Sequence, residues 1–152
     1  MSFDTAVGLG EILAGIATVL TLLFVAFEMR ARRHQDRLTM LTTLDRAYNE
    51  INAQVASSEN LAVLYRKGTE NPDQLTPDET TRFTALVVQL INVHRSLYAL
   101  LKEGALNSHH KQWFAKDAEL LYKRPGIRKV FDQIEVLLDP AFVEYIRNAN
   151  AR

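Results

Sequence analysis

Residues 12–27 read ILAGIATVLTLLFVAF, and residues 28–37 continue EMRARRHQDR. Sixteen residues pass without a charge, and then Arg30, Arg32, Arg33 and Arg37 arrive within one short stretch. A helix needs about 20 mostly apolar residues to cross a hydrocarbon core of roughly 30 Å. Ala6, Val7, Gly8, Leu9 and Gly10 extend the run backwards to that length and bring in one ionisable residue, Glu11. That position lies near one membrane face, where a carboxylate costs less than at mid-bilayer. The stretch therefore predicts a single membrane span.

The basic residues give the span a direction. All 18 Lys and Arg follow Phe27. Basic juxtamembrane segments stay on the cytoplasmic side, which predicts a short N-terminal tail outside and the remainder inside. A cleaved signal peptide wants a positive segment before its apolar run and a small-residue cleavage site after it, and the sequence offers neither. Residues 1–29 are thus expected to form tail and transmembrane helix, and residues 30–152 a cytoplasmic domain of ordinary single-domain size.

Charge excludes some functions. Residues 1–27 hold Asp4 and Glu11 and no base, while residues 28–152 hold 18 bases and 16 acids, a net of +2. A nucleic-acid binder normally carries a strong basic patch, so no nucleic-acid partner is expected. With no cysteine in the chain, disulfides, thiolate metal sites and Cys nucleophiles are ruled out.

Glycine and proline mark out the rest. Between Gly15 and Gly68 there is neither, so one helix is expected to run from the membrane to about Val55. Leu38, Leu41, Leu44, Tyr48, Ile51 and Val55 give it an apolar stripe at helical spacing, expected to pack on the domain. Ser57 or Ser58 is expected to cap a short helix through Leu61, Leu64 and Tyr65 that Gly68 ends. Thr76-Pro77-Asp78-Glu79 is the clearest start signal: a capping-box threonine, proline at the first helical position, and a glutamate able to bond back. That helix should end at Gly104. Its broad stripe, Phe83, Leu86, Leu90, Val93, Leu97 and Leu101 widened by Val87, Ile91 and Tyr98, marks a central helix. Ser108 is expected to cap the next helix, with Trp113, Phe114, Ala118, Leu121 and Tyr122 inward, and Pro125-Gly126 to break it. A further helix is expected over residues 127–138, with Val130, Phe131, Ile134 and Leu137 apolar. Asp139-Pro140 should open the last one. No segment alternates as a strand does. The fold is read as all-α: one N-terminal transmembrane helix continuing into a cytoplasmic bundle of about five helices.

Within the span, Gly8, Glu11, Gly15 and Thr18 share one helix face. Small residues allow close helix–helix approach, and a polar side chain among them can bond across the contact, so these four are the candidate transmembrane interface. The face does not extend as a coiled coil, because the heptad positions after Val25 and Met29 are Arg32 and Asp36. Arg30, Arg32, Arg33 and Arg37 form a basic cluster at the membrane surface. It is read chiefly as a topology signal with weak lipid contact, since Glu28 and Asp36 dilute it. His94 and the pair His109-His110 lack ligands at the three- or four-residue spacing a helical metal site needs, so no metal or other cofactor is expected. Catalytic signatures are absent, and Asp45 with Glu50, or Asp117 with Glu119, would form an acid–base pair only by coincidence of folding. The chain is read as a non-enzyme.

The pattern Gly10-Glu11-Ile12, an apolar run, then Phe27-Glu28-Met29-Arg30 resembles the opening of a broad group of small uncharacterised bacterial proteins with one N-terminal span and a helical cytoplasmic part. Leu75-Thr76-Pro77-Asp78-Glu79, Glu103-Gly104-Ala105-Leu106 before a helix containing Trp113, and Asp139-Pro140-Ala141-Phe142 extend the likeness over most of the chain. It implies a bacterial inner-membrane address and an all-α fold, and transfers no catalytic residue. The expected partners are the bilayer and either a second copy of the chain or another membrane protein. The function expected is a membrane-anchored interaction or scaffold protein, self-associating or serving as an accessory subunit. The alternative is a membrane-tethered sensor holding a small apolar ligand in a cavity lined by Trp113, Tyr98 and Phe131.

Overall fold

The computed structural model describes the backbone of residues 3–150 and the side chains of residues 15–149 apart from His34. Every regular element among the described residues is helical. The α-helices are α1 (Phe3–Ser57), α2 (Glu59–Glu70), α3 (Pro77–Lys102), α4 (Ser108–Tyr122), α5 (Pro125–Ile134) and α6 (Pro140–Asn150), with 3₁₀ turns at Pro72–Gln74 and Glu135–Leu137. The chain divides into two compact units, Met1–Thr42 and Thr43–Arg152. The first is helical throughout its described part, and its described side chains are exposed apart from the half-buried Glu28 and Leu41.

The second unit is built around α3. Phe83, Leu86, Val87, Leu90, Ile91, Val93, Leu97 and Leu100 are all buried. Among the described residues, α3 is the one helix that passes a length-and-hydropathy test for crossing a membrane. Its apolar character is accounted for by the core it forms: α2, α4 and α5 all pack on it. The start of α3 follows the capping-box chemistry closely. The Glu79 N–H donates to Thr76 Oγ1 at 3.3 Å, and the Thr76 N–H donates to Glu79 Oε2 at 2.8 Å. Lys67 Nζ donates to the same Oε2 at 2.7 Å, tying α2 to the head of α3. The helix ends in a Schellman motif: the Ala105 N–H reaches the Leu100 carbonyl and the Gly104 N–H that of Leu101, with Gly104 at φ +67°.

Four local expectations change. Gly68 does not end α2, which continues to Glu70 and is capped at Asn71. Gly68 is buried within the helix, where a Cβ would run into the Phe83 ring. At Gly126 a Cβ would overlap the carbonyl oxygen of Gly68 and lie 2.8 Å from its carbon. The two glycines allow α2 and α5 to touch backbone to backbone, a tertiary role that outweighs the local stop signal. The cap of α4 is Asn107, whose side chain accepts from the His110 N–H at 2.8 Å, and Ser108 becomes the first helical residue. Pro125 opens α5 instead of merely breaking α4, and α5 ends at Ile134, so Leu137 falls in a 3₁₀ turn and is 78% exposed. The expected stripe of α1 enters the core only from Leu44 through Tyr48 to the buried Ile51, while Leu38 is exposed. At the last helix, Asp139 Oδ1 accepts from the Ala141 N–H as the sequence predicts.

Candidate functional site

In the first unit, the functional candidates lie along α1. The surroundings of Gly8 and the side chain of Glu11 lie outside the described residues. Gly15 lies in open space, with nothing within 4 Å of where a Cβ would stand, and Thr18 follows three residues on along the same face. Ile16, Val19, Leu20, Leu22, Leu23, Phe24, Val25 and Phe27 are exposed by 45% (Val25) to 73% (Phe27). At about 100° per residue most of these positions crowd one side of the helix, with Leu22 and Val25 on the other among Gly15, Thr18 and Thr21. The hydroxyl of Thr21 donates to the Ala17 carbonyl at 2.8 Å, so the helix itself satisfies this polar group.

The basic cluster proves to be divided. Arg32 donates to Glu28 Oε1 through both Nη2 at 2.7 Å and Nε at 3.2 Å. Arg30, Arg33 and Arg37 are exposed, and no side-chain hydrogen bond or ion pair engages them among the described residues. Ala26, Met29, Arg30 and Arg33 line a surface hollow of about 370 Å³.

In the second unit, three polar side chains from three helical segments meet at the margin of the core. His94 of α3 is fully buried. Its Nδ1 lies 2.9 Å from the Leu90 carbonyl oxygen and its Nε2 3.0 Å from Asp117 Oδ2 of α4. The Tyr48 hydroxyl donates to the same carboxylate, 3.3 Å from Oδ2 and 3.4 Å from Oδ1. Phe114 and Tyr122 flank the imidazole with ring centroids at 5.7 Å each, and Trp113 stands edge-on to Tyr48 at 5.8 Å. Burial, reinforced by the neighbouring negative charge of Asp117, pushes the Tyr48 hydroxyl up to about 12. Burial likewise raises Tyr122, whose hydroxyl is enclosed without a hydrogen-bond partner. The chemistry is that of a lock: a carboxylate gathers a histidine and a tyrosine, and aromatic rings close over them. No Ser or Cys nucleophile belongs to the group.

The sequence offers His94 no metal ligand at helical spacing, and the fold buries it against Asp117. The sequence does not reveal the partner. Asp117 and Glu119 do not pair: Asp117 turns inward, while Glu119 accepts from Lys123 at 2.7 Å and Lys116 at 3.0 Å, which together hold it down at about 2. Glu50 is bound to Arg46 and Asp45 is exposed. The signal for Asp117 was its place between Phe114 and Ala118 on the inward face of α4, where a carboxylate demands a buried donor. The three aromatics proposed as a ligand cage take separate roles. Trp113 meets Tyr48, Tyr98 meets Phe142 and Tyr145, and Phe131 meets Tyr122 and Phe142. His109 and His110 lie ring to ring at 6.1 Å, and no group of three metal-ligating side chains occurs among the described residues.

Among the described residues the fold is all-α, with six α-helices, and Tyr48, His94 and Asp117 join three of them. Compared with family models, curated proteins and solved structures, the chain gives no match.

Proposed function

We propose that this chain is a membrane-anchored helical interaction protein. One span holds it in the bilayer, N-terminus outside, and the Gly8/Glu11/Gly15/Thr18 face receives a second copy or a larger membrane assembly. The supporting observation is the exposed apolar surface of α1 from Ile16 to Phe27. A helix that packs on one neighbour buries its large apolar side chains there, whereas these eight are all exposed along α1. At ~1.5–3 kcal/mol for a fully buried large apolar side chain, removing these eight from water is worth roughly 10 kcal/mol. That is comparable to the whole stability of a typical domain, which supports an apolar environment for this surface. Lipid satisfies it. The open space at Gly15 suits close approach of another helix.

The test is the double substitution Glu11→Leu with Gly15→Leu in the full chain. Purified in mild detergent, the variant is expected to change its oligomer mass or lose co-purifying membrane partners. An unchanged mass and an unchanged partner list would sink the interface reading.

A further inference from the structure

The basic cluster after the apolar stretch is not uniform, and its division has a geometric sense. At about 100° per residue, Arg30, Arg33 and Arg37 fall within a 60° arc of α1. Arg32 lies well away from that arc and is already bound to Glu28 by two hydrogen bonds. Followed toward the N-terminus, the three-arginine face continues as Val19, Leu22 and Ala26, so one strip of helix passes from apolar to cationic. The arginines cover about 10 Å along the axis, close to the depth of one headgroup layer. Arg30 and Arg33 line a shallow surface hollow together with Ala26 and Met29, which joins two basic side chains to an apolar surface. Guanidinium forks match phosphate oxygens in pairs, and unpaired arginines at a membrane surface draw anionic lipid.

We propose that Arg30, Arg33 and Arg37 form a binding site for the headgroup of an anionic phospholipid, with Arg32 excluded from it by Glu28. The inference rests on the membrane reading above and adds the ligand and the residues that hold it. The phosphate would sit between Arg30 and Arg33, the glycerol and first acyl carbons against Met29 and Ala26, and Arg37 on the aqueous side.

The experiment uses the full chain in mild detergent, titrated with dioleoyl phosphatidylglycerol or dioleoyl phosphatidylcholine and followed by native mass spectrometry. Phosphatidylglycerol is expected to bind in preference. Its affinity should fall about fivefold for each of Arg30→Gln, Arg33→Gln and Arg37→Gln. Arg32→Gln should stay within twofold of the parent. Equal losses from Arg32→Gln, equal binding of the two lipids, or displacement of the lipid by millimolar inorganic phosphate would overturn the proposal. Alkaline carbonate extraction of membranes containing the same variants separates the two readings. Protein released from the membrane defeats both. Protein retained without the arginine pattern defeats the headgroup site alone.

Discussion

Replacing Gly126 by alanine tests how the second unit is held together. A Cβ at this position overlaps the Gly68 carbonyl oxygen and lies 2.8 Å from the carbonyl carbon. A carbon rests against a carbonyl oxygen at about 3.3 Å or more, so the overlap with the Gly68 oxygen forces α2 and α5 to part by more than about 1 Å. The obstacle is backbone, with no rotamer to yield. Parting the helices loosens Leu64 and Thr69 on one side and Ile127 and Val130 on the other, all buried. Overpacking a tight core costs about 1–3 kcal/mol, and a backbone obstacle puts this site near 3. Alanine returns at most about 1 kcal/mol through better helix propensity. The net loss is about 2 kcal/mol. With a urea slope of about 1–3 kcal/mol per M, the unfolding midpoint should fall by roughly 1 M. Trp113, the one tryptophan of the chain, packs on Tyr48 and reports the transition by fluorescence. The full chain in mild detergent is the sample. An unchanged or raised midpoint would refute the backbone contact between α2 and α5. Alanine at Gly15, where the space is open, serves as the comparison.

The triad of Tyr48, His94 and Asp117 gives two further expectations. His94→Ala removes a fully buried ring and leaves Asp117 facing only Tyr48, so it should destabilise the unit by about 3 kcal/mol; Asp117→Asn, which keeps the shape, should cost about 1–2 kcal/mol, a smaller loss because this carboxylate is partly in contact with water. Equal and negligible losses in urea titrations would remove the triad's structural role. Tyr48 ionises at about 12 in the folded chain and near 10 when unfolded. A raised folded value means its contribution is complete below pH 10 and is lost as pH climbs to 12. Stability should therefore fall across that window, and Tyr48→Phe should flatten the fall in urea midpoints measured at pH 9, 10 and 11.

The parts of this fold that could be read in advance are those set by neighbours in the chain. Thr76, Pro77 and Glu79 make their cap with one another, and Gly104 needs only its own left-handed turn. Asp139 likewise caps its own helix. Gly68 misled because its meaning lies 58 positions away, at Gly126. His94 and Asp117 sit on different helices, and no periodicity announces that two inward positions will meet. Tyr48 joins them from α1, where it looked like one more apolar stripe residue. Leu38, from the same stripe, stays exposed because the core ends near Leu44. Along α1, the composition of residues 12–27 pointed to lipid, and the exposure of the side chains from Ile16 to Phe27 suits that reading. The division of the arginines was hidden, since it depends on which rotamer Arg32 takes toward Glu28.

The membrane span and its direction are tested most directly by cysteine labelling, because the chain has no cysteine of its own. Single variants Ser2→Cys and Lys111→Cys would be exposed to a membrane-impermeant maleimide in intact spheroplasts and again after lysis. The account expects Ser2→Cys to label before lysis and Lys111→Cys only after it. Labelling of both sites only after lysis, with release of the protein by alkaline carbonate, would contradict it.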